Sequence, residues 1–204
     1  GWEEDKLSIC KWHGISCLDD VYNKTVTKID LSDNGLVGTV PPFLFRLPNL
    51  KTVILDNNKV DFSFEGIGLA PSLEELDAHT TNMTNLKGIA QLENLRFLSI
   101  EDNNFDGQDI PEDIFFLSKL ERLHMSNSGF GGTLSTKIGQ LVALKMFYCH
   151  QNGLSGEIPS QISHLSLLQD LELSNNYFFG TLPTSLNKMT ALKLFYIRSY
   201  RNKG

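Results

Sequence analysis

The chain has 204 residues, a formal net charge of −6, three cysteines and apolar and charged fractions ordinary for a globular protein. That balance argues against an electrostatic nucleic-acid binder, because phosphate neutralisation needs clustered Lys and Arg. No run of about 18 apolar residues reads as a membrane span, and the start, GWEEDKLSIC, carries charge where a signal peptide would be apolar, as a mature or trimmed terminus does.

Residues 1–25 do not share the period of the rest. They carry Trp2, Trp12 and the pair Cys10 and Cys17 in CKWHGISC. Such a pair could bridge, bind metal or stay reduced. Zinc would need four ligands and only His13 lies near, so a disulfide closing a short loop is the better reading, and it implies an oxidising compartment. A terminal unit of this composition suits a cap over the apolar end of a repeat stack, with Trp12 expected in its core.

From Val26 a unit of about 24 residues recurs, opening at 26, 50, 73, 95, 120, 144, 168 and 192. Each opens apolar-x-x-apolar-x-apolar, as in Leu120, Leu123 and Met125, or Leu144, Phe147 and Cys149. Alternation at the fourth and sixth positions predicts a strand. One strand per repeat, with a connecting half between, predicts a parallel sheet. Cys149 holds an apolar position and is expected buried and inert.

The ninth position is Asn at Asn34, Asn58, Asn103, Asn152 and Asn176, with Thr81 and Ser128 as weaker substitutes and Tyr200 as a break. Stacked buried amides would satisfy the backbone where the strand turns inward. After the Asn, several repeats read apolar-x-Gly-x-x-Pro, as in Leu154-Ser-Gly156-Glu-Ile158-Pro159, where Gly permits a turn and Pro opens a short helix. Repeats two and three lack that pair, and an irregular convex side is expected there.

On these residues the chain resembles a plant-type leucine-rich repeat domain. CKWHGISC matches that family's cap pattern Cys-x-Trp-x-Gly-Val-x-Cys with Ile15 for Val. The resemblance implies an α/β solenoid: a right-handed leucine-rich repeat superhelix with a parallel concave β-sheet and a mostly irregular or 3-10 convex side. Residues 1–25 would be the disulfide cap and 26–204 about eight repeats, the last truncated. Because a bare last strand would expose Phe195, Ile197 and an unpaired edge, the natural protein is expected to continue. The resemblance also implies recognition rather than chemistry, with no cofactor. The expected setting is extracellular or at the cell surface, as a receptor-like ectodomain binding a protein or peptide, with a co-receptor among its partners. A secreted, free-standing inhibitor that docks an enzyme or a cell-wall polysaccharide is the alternative.

With the fourth and sixth positions inward, the third, fifth, seventh and eighth face the concave surface. Repeats one to four read acidic there, with Asp30, Asp33, Asp56, Glu75, Asp77, Glu101 and Asp102. Repeats five to eight carry the candidate ligand-binding residues His124, Met146, Tyr148, His150, Glu172, Tyr196 and Arg198, whose aromatics beside Met and Arg resemble hot-spot composition. Asp56, His79 and Glu101 share one column at a spacing a metal could bridge, but no thiolate or second His joins them, and no metal site is assigned. No hydrolase or phosphate-binding motif is present. Asn23-Lys-Thr25 and Asn82-Met-Thr84 are glycosylation acceptor patterns that agree with a secretory route.

Overall fold

The computed structural model describes residues 9–19, 24–64 and 72–198. Its spine is a nine-stranded sheet. Ile15–Asp19 pairs antiparallel with Lys24–Asp30, and the sheet then continues in parallel through Thr52–Ile54, Glu75–Asp77, Phe97–Ser99, Arg122–His124, Met146–Tyr148, Asp170–Glu172 and Leu194–Tyr196. The register is the one the repeat spacing predicts: the third, fourth and fifth positions of one repeat face the same positions of the next.

The alternation holds because the middle residue of each strand has only the core to occupy. Val53, Leu76, Leu98, Leu123, Phe147 and Leu171 are buried, and so are the sixth-position residues of the same repeats, Cys149 among them. Burial pushes the Cys149 thiol well above its ordinary pKa, which keeps it protonated and unreactive. Phenylalanines fill the space behind the sheet. Phe45, Phe62 and Phe64 form one tilted group, and Phe105 stacks on Phe130 with ring centroids 4.3 Å apart.

The ninth-position ladder is present and specific. Asn152 donates through Nδ2 to the carbonyls of Met125 and Cys149, at 2.9 and 3.0 Å, and accepts at Oδ1 from the Ser128 and Phe130 amides. Asn58, Asn103 and Asn176 repeat this pattern one repeat apart or more. Ser128 and Thr81 fill the gaps with hydroxyls that donate to Ile100 and Ala78 carbonyls. Asn34 departs from the expectation. It is exposed and, among the described residues, donates only to the nearby Ser32 carbonyl, at 2.8 Å, because no earlier repeat stacks beneath it. Tyr200 lies outside the described residues.

A second regularity precedes each ladder position. Asp33, Asn57, Thr80, Asp102, Asn127, Gln151 and Asn175, the eighth residues of repeats one to seven, all hold φ between 51° and 58°. The left-handed turn redirects the chain so that the ninth side chain points inward. Asn and Asp tolerate this conformation well, but Thr80 is β-branched and strained there.

Pro opens the convex segments as expected. Pro41, Pro111, Pro159 and Pro183 stand in extended backbone immediately before the 3-10 helices Pro42–Arg46, Glu112–Phe116, Ser160–His164 and Thr184–Lys188. Repeat five lacks the Pro, and there the Ser135 side chain accepts from the Lys137 amide ahead of Thr136–Gln140. Repeat three is less irregular than its sequence suggests, since Gly88 in a left-handed turn leads into the 3-10 helix Ile89–Gln91. The corresponding part of repeat two falls on residues outside the described set. Short parallel pairs also form just past the ladder, Val37–Thr39 with Lys59–Asp61 and Ser155–Gly156 with Tyr177–Phe178.

Cys10 and Cys17 are disulfide-bonded, tying the 3-10 turn Ile9–Lys11 to the antiparallel strand. The motif's Gly14 is required by close packing: at φ 80° an added Cβ would sit 1.9 Å from the Asp30 carbonyl oxygen. Trp12 corrects an expectation. It is 49% exposed rather than in the core of the cap, because the turn that carries it stands outside the first sheet pair. Trp2 lies outside the described residues.

The second positions of repeats two to six, Lys51, Glu74, Arg96, Glu121 and Lys145, form a charged ladder along one lip of the sheet. Lys51 pairs with Glu74 at 2.9 Å, while Glu121 is shared between Arg96 and Lys145. Signs alternate from strand to strand, so neighbours attract in the correct register.

Two substitutions test these elements by urea denaturation of the intact chain. Asn152→Ala leaves buried carbonyls and amides of two repeats without partners and is expected to cost about 2–4 kcal/mol. Thr80→Asn keeps the turn with a residue suited to it and is expected to stabilise by about 0.5–1 kcal/mol, part of the left-handed penalty.

Candidate functional site

Sheet register decides which side chains meet on the concave face. Equivalent positions of adjacent parallel strands lie about 4.8 Å apart, close to the thickness at which aromatic rings touch. On the strands of repeats four, five and six this produces a continuous row. His124 stacks on Tyr148 with centroids 4.7 Å apart and planes 19° from parallel, and the edge of Phe97 meets His124 at 5.3 Å. The Arg122 guanidinium lies 4.3 Å from the centre of the Phe97 ring and reaches Glu75 Oε1 at 3.4 Å. Phe97 and Arg122 were not singled out as site residues. Their positions in the third column, diagonal to His124 in the fifth, carried the signal.

His124 is shut into this row. Its Nε2 is buried without a hydrogen-bond partner among the described residues. Burial above all, and then the Arg122 charge, lowers its pKa to about 4, against an opposing pull from Asp77. The ring is therefore a neutral aromatic surface at physiological pH. Tyr148 is half-buried beside it, with a hydroxyl pKa raised by burial first and by the charges of Asp170 and Glu172 next.

His150 belongs to a polar strip beyond the row. Its Nδ1 lies 2.8 Å from Ser126 Oγ and 3.7 Å from Glu172 Oε2. Glu101 also bonds to Ser126, and burial, its largest influence, leaves its pKa raised. Met146 is half-buried next to Asp170 and Arg122 in its column. Thus His124, Met146, Tyr148, His150 and Glu172 come together. Tyr196, 54% exposed, continues the fifth column on the strand of repeat eight, with Leu194 on the same strand 46% exposed. Arg198 is exposed past the end of that strand, and its carbonyl accepts from the Asn175 amide.

The acidic half has a centre of its own. His79 Nδ1 lies 2.7 Å from Asp77 Oδ1, and its Nε2 lies 3.7 Å from Asp56 Oδ2. The sequence column had matched His79 with Asp56 and Glu101. The structure brings in Asp77 instead, because a residue two positions earlier on the same strand shares its face. Asp56, Asp77 and His79 can place one donor atom each within 4.8 Å of one another, a set of the kind that holds divalent cations. Glu101 is turned to Ser126.

Asp56 and His79 do not titrate as a simple ion pair. Burial dominates at Asp56 and, with the charges of Asp77 and Asp33, raises its pKa despite His79. For His79 burial is the largest single influence and lowers the pKa. The Asp77 hydrogen bond and the charges of Asp77, Asp56 and Glu101 together outweigh it, so the net shift is upward. The imidazolium therefore stabilises the fold below pH 6.5, and that contribution is lost as pH rises through the folded value.

Asn82 is exposed beside the ladder of repeat three, with its amide bonded to the Val60 carbonyl. Asn23 lies outside the described residues.

The family profile described as Leucine Rich Repeat matches residues 25–47 and 167–189. Receptor-like protein 7 of Arabidopsis thaliana is 35% identical over 108 residues, 52% of this chain and 11% of its own length. Among solved structures, the ectodomain of the Arabidopsis receptor kinase HAESA with an IDA peptide hormone lengthened at its N-terminus superposes with a TM-score of 0.79 at 32% identity, over 90% of this chain and 31% of that one. HAESA in complex with IDA and the co-receptor SERK1 gives a TM-score of 0.73 at 26% identity, over 96% and 37%. The chain spans about a sixth or less of the length of each of these curated relatives. It is a plant-type leucine-rich repeat domain that resembles the ectodomains of receptor-like proteins and receptor kinases.

His124 supplies a test of the buried row. Its folded pKa lies below the unfolded one, so its contribution to stability is whole above pH 6.5 and is lost as pH falls from there toward about 4. Denaturation curves at pH 7 and pH 4.5 should show a smaller acid loss for His124→Phe than for the parent chain.

Proposed function

We propose that this chain is a ligand-recognition segment of an extracellular receptor-like protein, and that it binds a peptide or protein on its concave face without doing chemistry on it. The observation that carries the reading is the row Phe97–His124–Tyr148, a run of half-buried rings in contact on the strands of the parallel sheet. Rings held in this way offer large contact area with little rotamer entropy left to lose, the property of binding hot spots. Met146, His150, Glu172, Tyr196 and Arg198 extend the surface around the row. The disulfide between Cys10 and Cys17 fits an oxidising, secretory setting.

HAESA, which shares the fold over nearly the whole of this chain, was solved with a peptide hormone and with a co-receptor. By that likeness a peptide is the favoured ligand and a co-receptor the second partner. Use of Asn82 as a glycan acceptor is consistent with this arrangement, since it stands at the ladder rather than on the strand columns and would keep a large partner off that flank.

The test is a binding measurement on the intact chain with peptides selected against it. Tyr148→Ala/His150→Ala is expected to weaken the selected peptides at least tenfold, about 1.4 kcal/mol or more, while leaving the denaturation midpoint within a few degrees. Unchanged affinity in the double variant would remove the concave row from the binding surface.

A further inference from the structure

The concave face is an uncovered sheet whose two ends differ in chemistry, and the difference constrains what lies on it. In the N-terminal half, Lys28 is taken by Asp30 at 3.0 Å, and Glu75 is met by Arg122. Among the described residues no Lys or Arg pairs with Asp56, Asp77, Glu101 or Asp102. His79, between Asp56 and Asp77, offsets those two, while Glu101 has its Ser126 hydrogen bond and the nearby His150, and Asp102 accepts from the Asn127 side chain. In the C-terminal half the face is aromatic, and its carboxylates are engaged: Asp170 bonds to Tyr148, and Glu172 faces His150. Arg122 on the Phe97 ring marks the border, a cation fixed where the acidic columns end.

We propose that the concave face takes one extended peptide, crossing the strands, with a Lys or Arg seated over Asp56 and Asp77 and an apolar or aromatic residue on the Tyr148 side of the row. This rests on the peptide-recognition reading above and specifies the ligand for it. The geometry sets a spacing. Tyr148 is three strands from Asp77 and four from Asp56, about 14–19 Å at roughly 4.8 Å per strand. An extended chain covers about 3.3 Å per residue, so the basic and apolar anchors are separated by about four to six positions, whichever way the peptide runs. Charge complementarity makes the first anchor basic, because an anionic ligand group there would meet two carboxylates that share a single imidazole and no Lys or Arg among the described residues.

A displayed library of random twelve-residue peptides is selected on the intact chain, and in parallel on Asp56→Asn/Asp77→Asn and on Tyr148→Ala. Peptides enriched on the parent should carry Lys or Arg four to six positions from an aromatic or large aliphatic residue. Replacing that basic residue by Gln in a synthetic copy should cost about tenfold in affinity on the parent and little on the Asp56→Asn/Asp77→Asn chain. Enriched peptides without a basic bias, or with the bias intact on the Asn variant, overturn the proposal. They leave the broader reading standing if Tyr148→Ala still abolishes enrichment. Enrichment indifferent to Tyr148→Ala, or none at all on the parent, overturns both. Affinity that requires added zinc and is lost with EDTA also overturns it, by making the Asp56, Asp77 and His79 group a metal site.

Discussion

One buried polar side chain at the ninth position of repeats two to seven, an Asn amide in four of them, governs this molecule. The chain must leave the concave strand and turn into the body of the solenoid, which carries backbone donors and acceptors away from water. A side chain with both functions, placed at the turn, satisfies two repeats at once: Asn152 donates into the turn of its own repeat and the one before, and accepts from that preceding repeat's amides. Because each amide spans two repeats, it fixes the stagger between their strands as well as the turn. The in-register columns of the concave face, and the ring spacing of 4.7 Å between His124 and Tyr148, are consequences of that stagger.

Those columns convert a one-dimensional period into a surface. Residues about 24 apart in sequence become neighbours, so a Phe, a His and a Tyr from three repeats make one aromatic floor, and carboxylates from repeats two to four make one acidic field. Neither group would be recognised as a cluster along the chain. The same principle places His79 between two aspartates and encloses His124 among rings. One imidazole is consequently easier to protonate than usual and the other much harder. Burial opposes charge at both sites, and what differs is whether carboxylates or an Arg lie within reach.

Most of the framework was legible because repeat spacing is a strong signal. The strand register, the inward Cys149, the Asn ladder and the Pro-led convex helices all follow from positions counted along each repeat. What escaped was set by neighbours rather than by position. Asn34 has the right identity but no repeat beneath it, so it stays exposed. Trp12 reads as apolar core, yet its turn stands off the sheet. His79 was matched along its column, whereas the stronger partner, Asp77, sits two residues back on its own strand. The left-handed eighth position was hidden because Asp, Asn, Gln and Thr all occupy it and no single residue type marks it.

The charged lip of the sheet has a consequence for repeat number. Lys51, Glu74, Arg96, Glu121 and Lys145 alternate in sign on consecutive strands. Excising one of the repeats between them would close the gap with like charges side by side, Lys51 against Arg96 if repeat three were lost. Excising two adjacent repeats would restore attraction, Lys51 against Glu121. Each such contact is worth only a fraction of a kcal/mol at the surface, but it recurs along the lip and acts on register. The segment from repeat two to repeat six thus has a parity: it can be lengthened or shortened in pairs of turns with its edge electrostatics intact, and in single turns only by rewriting that edge.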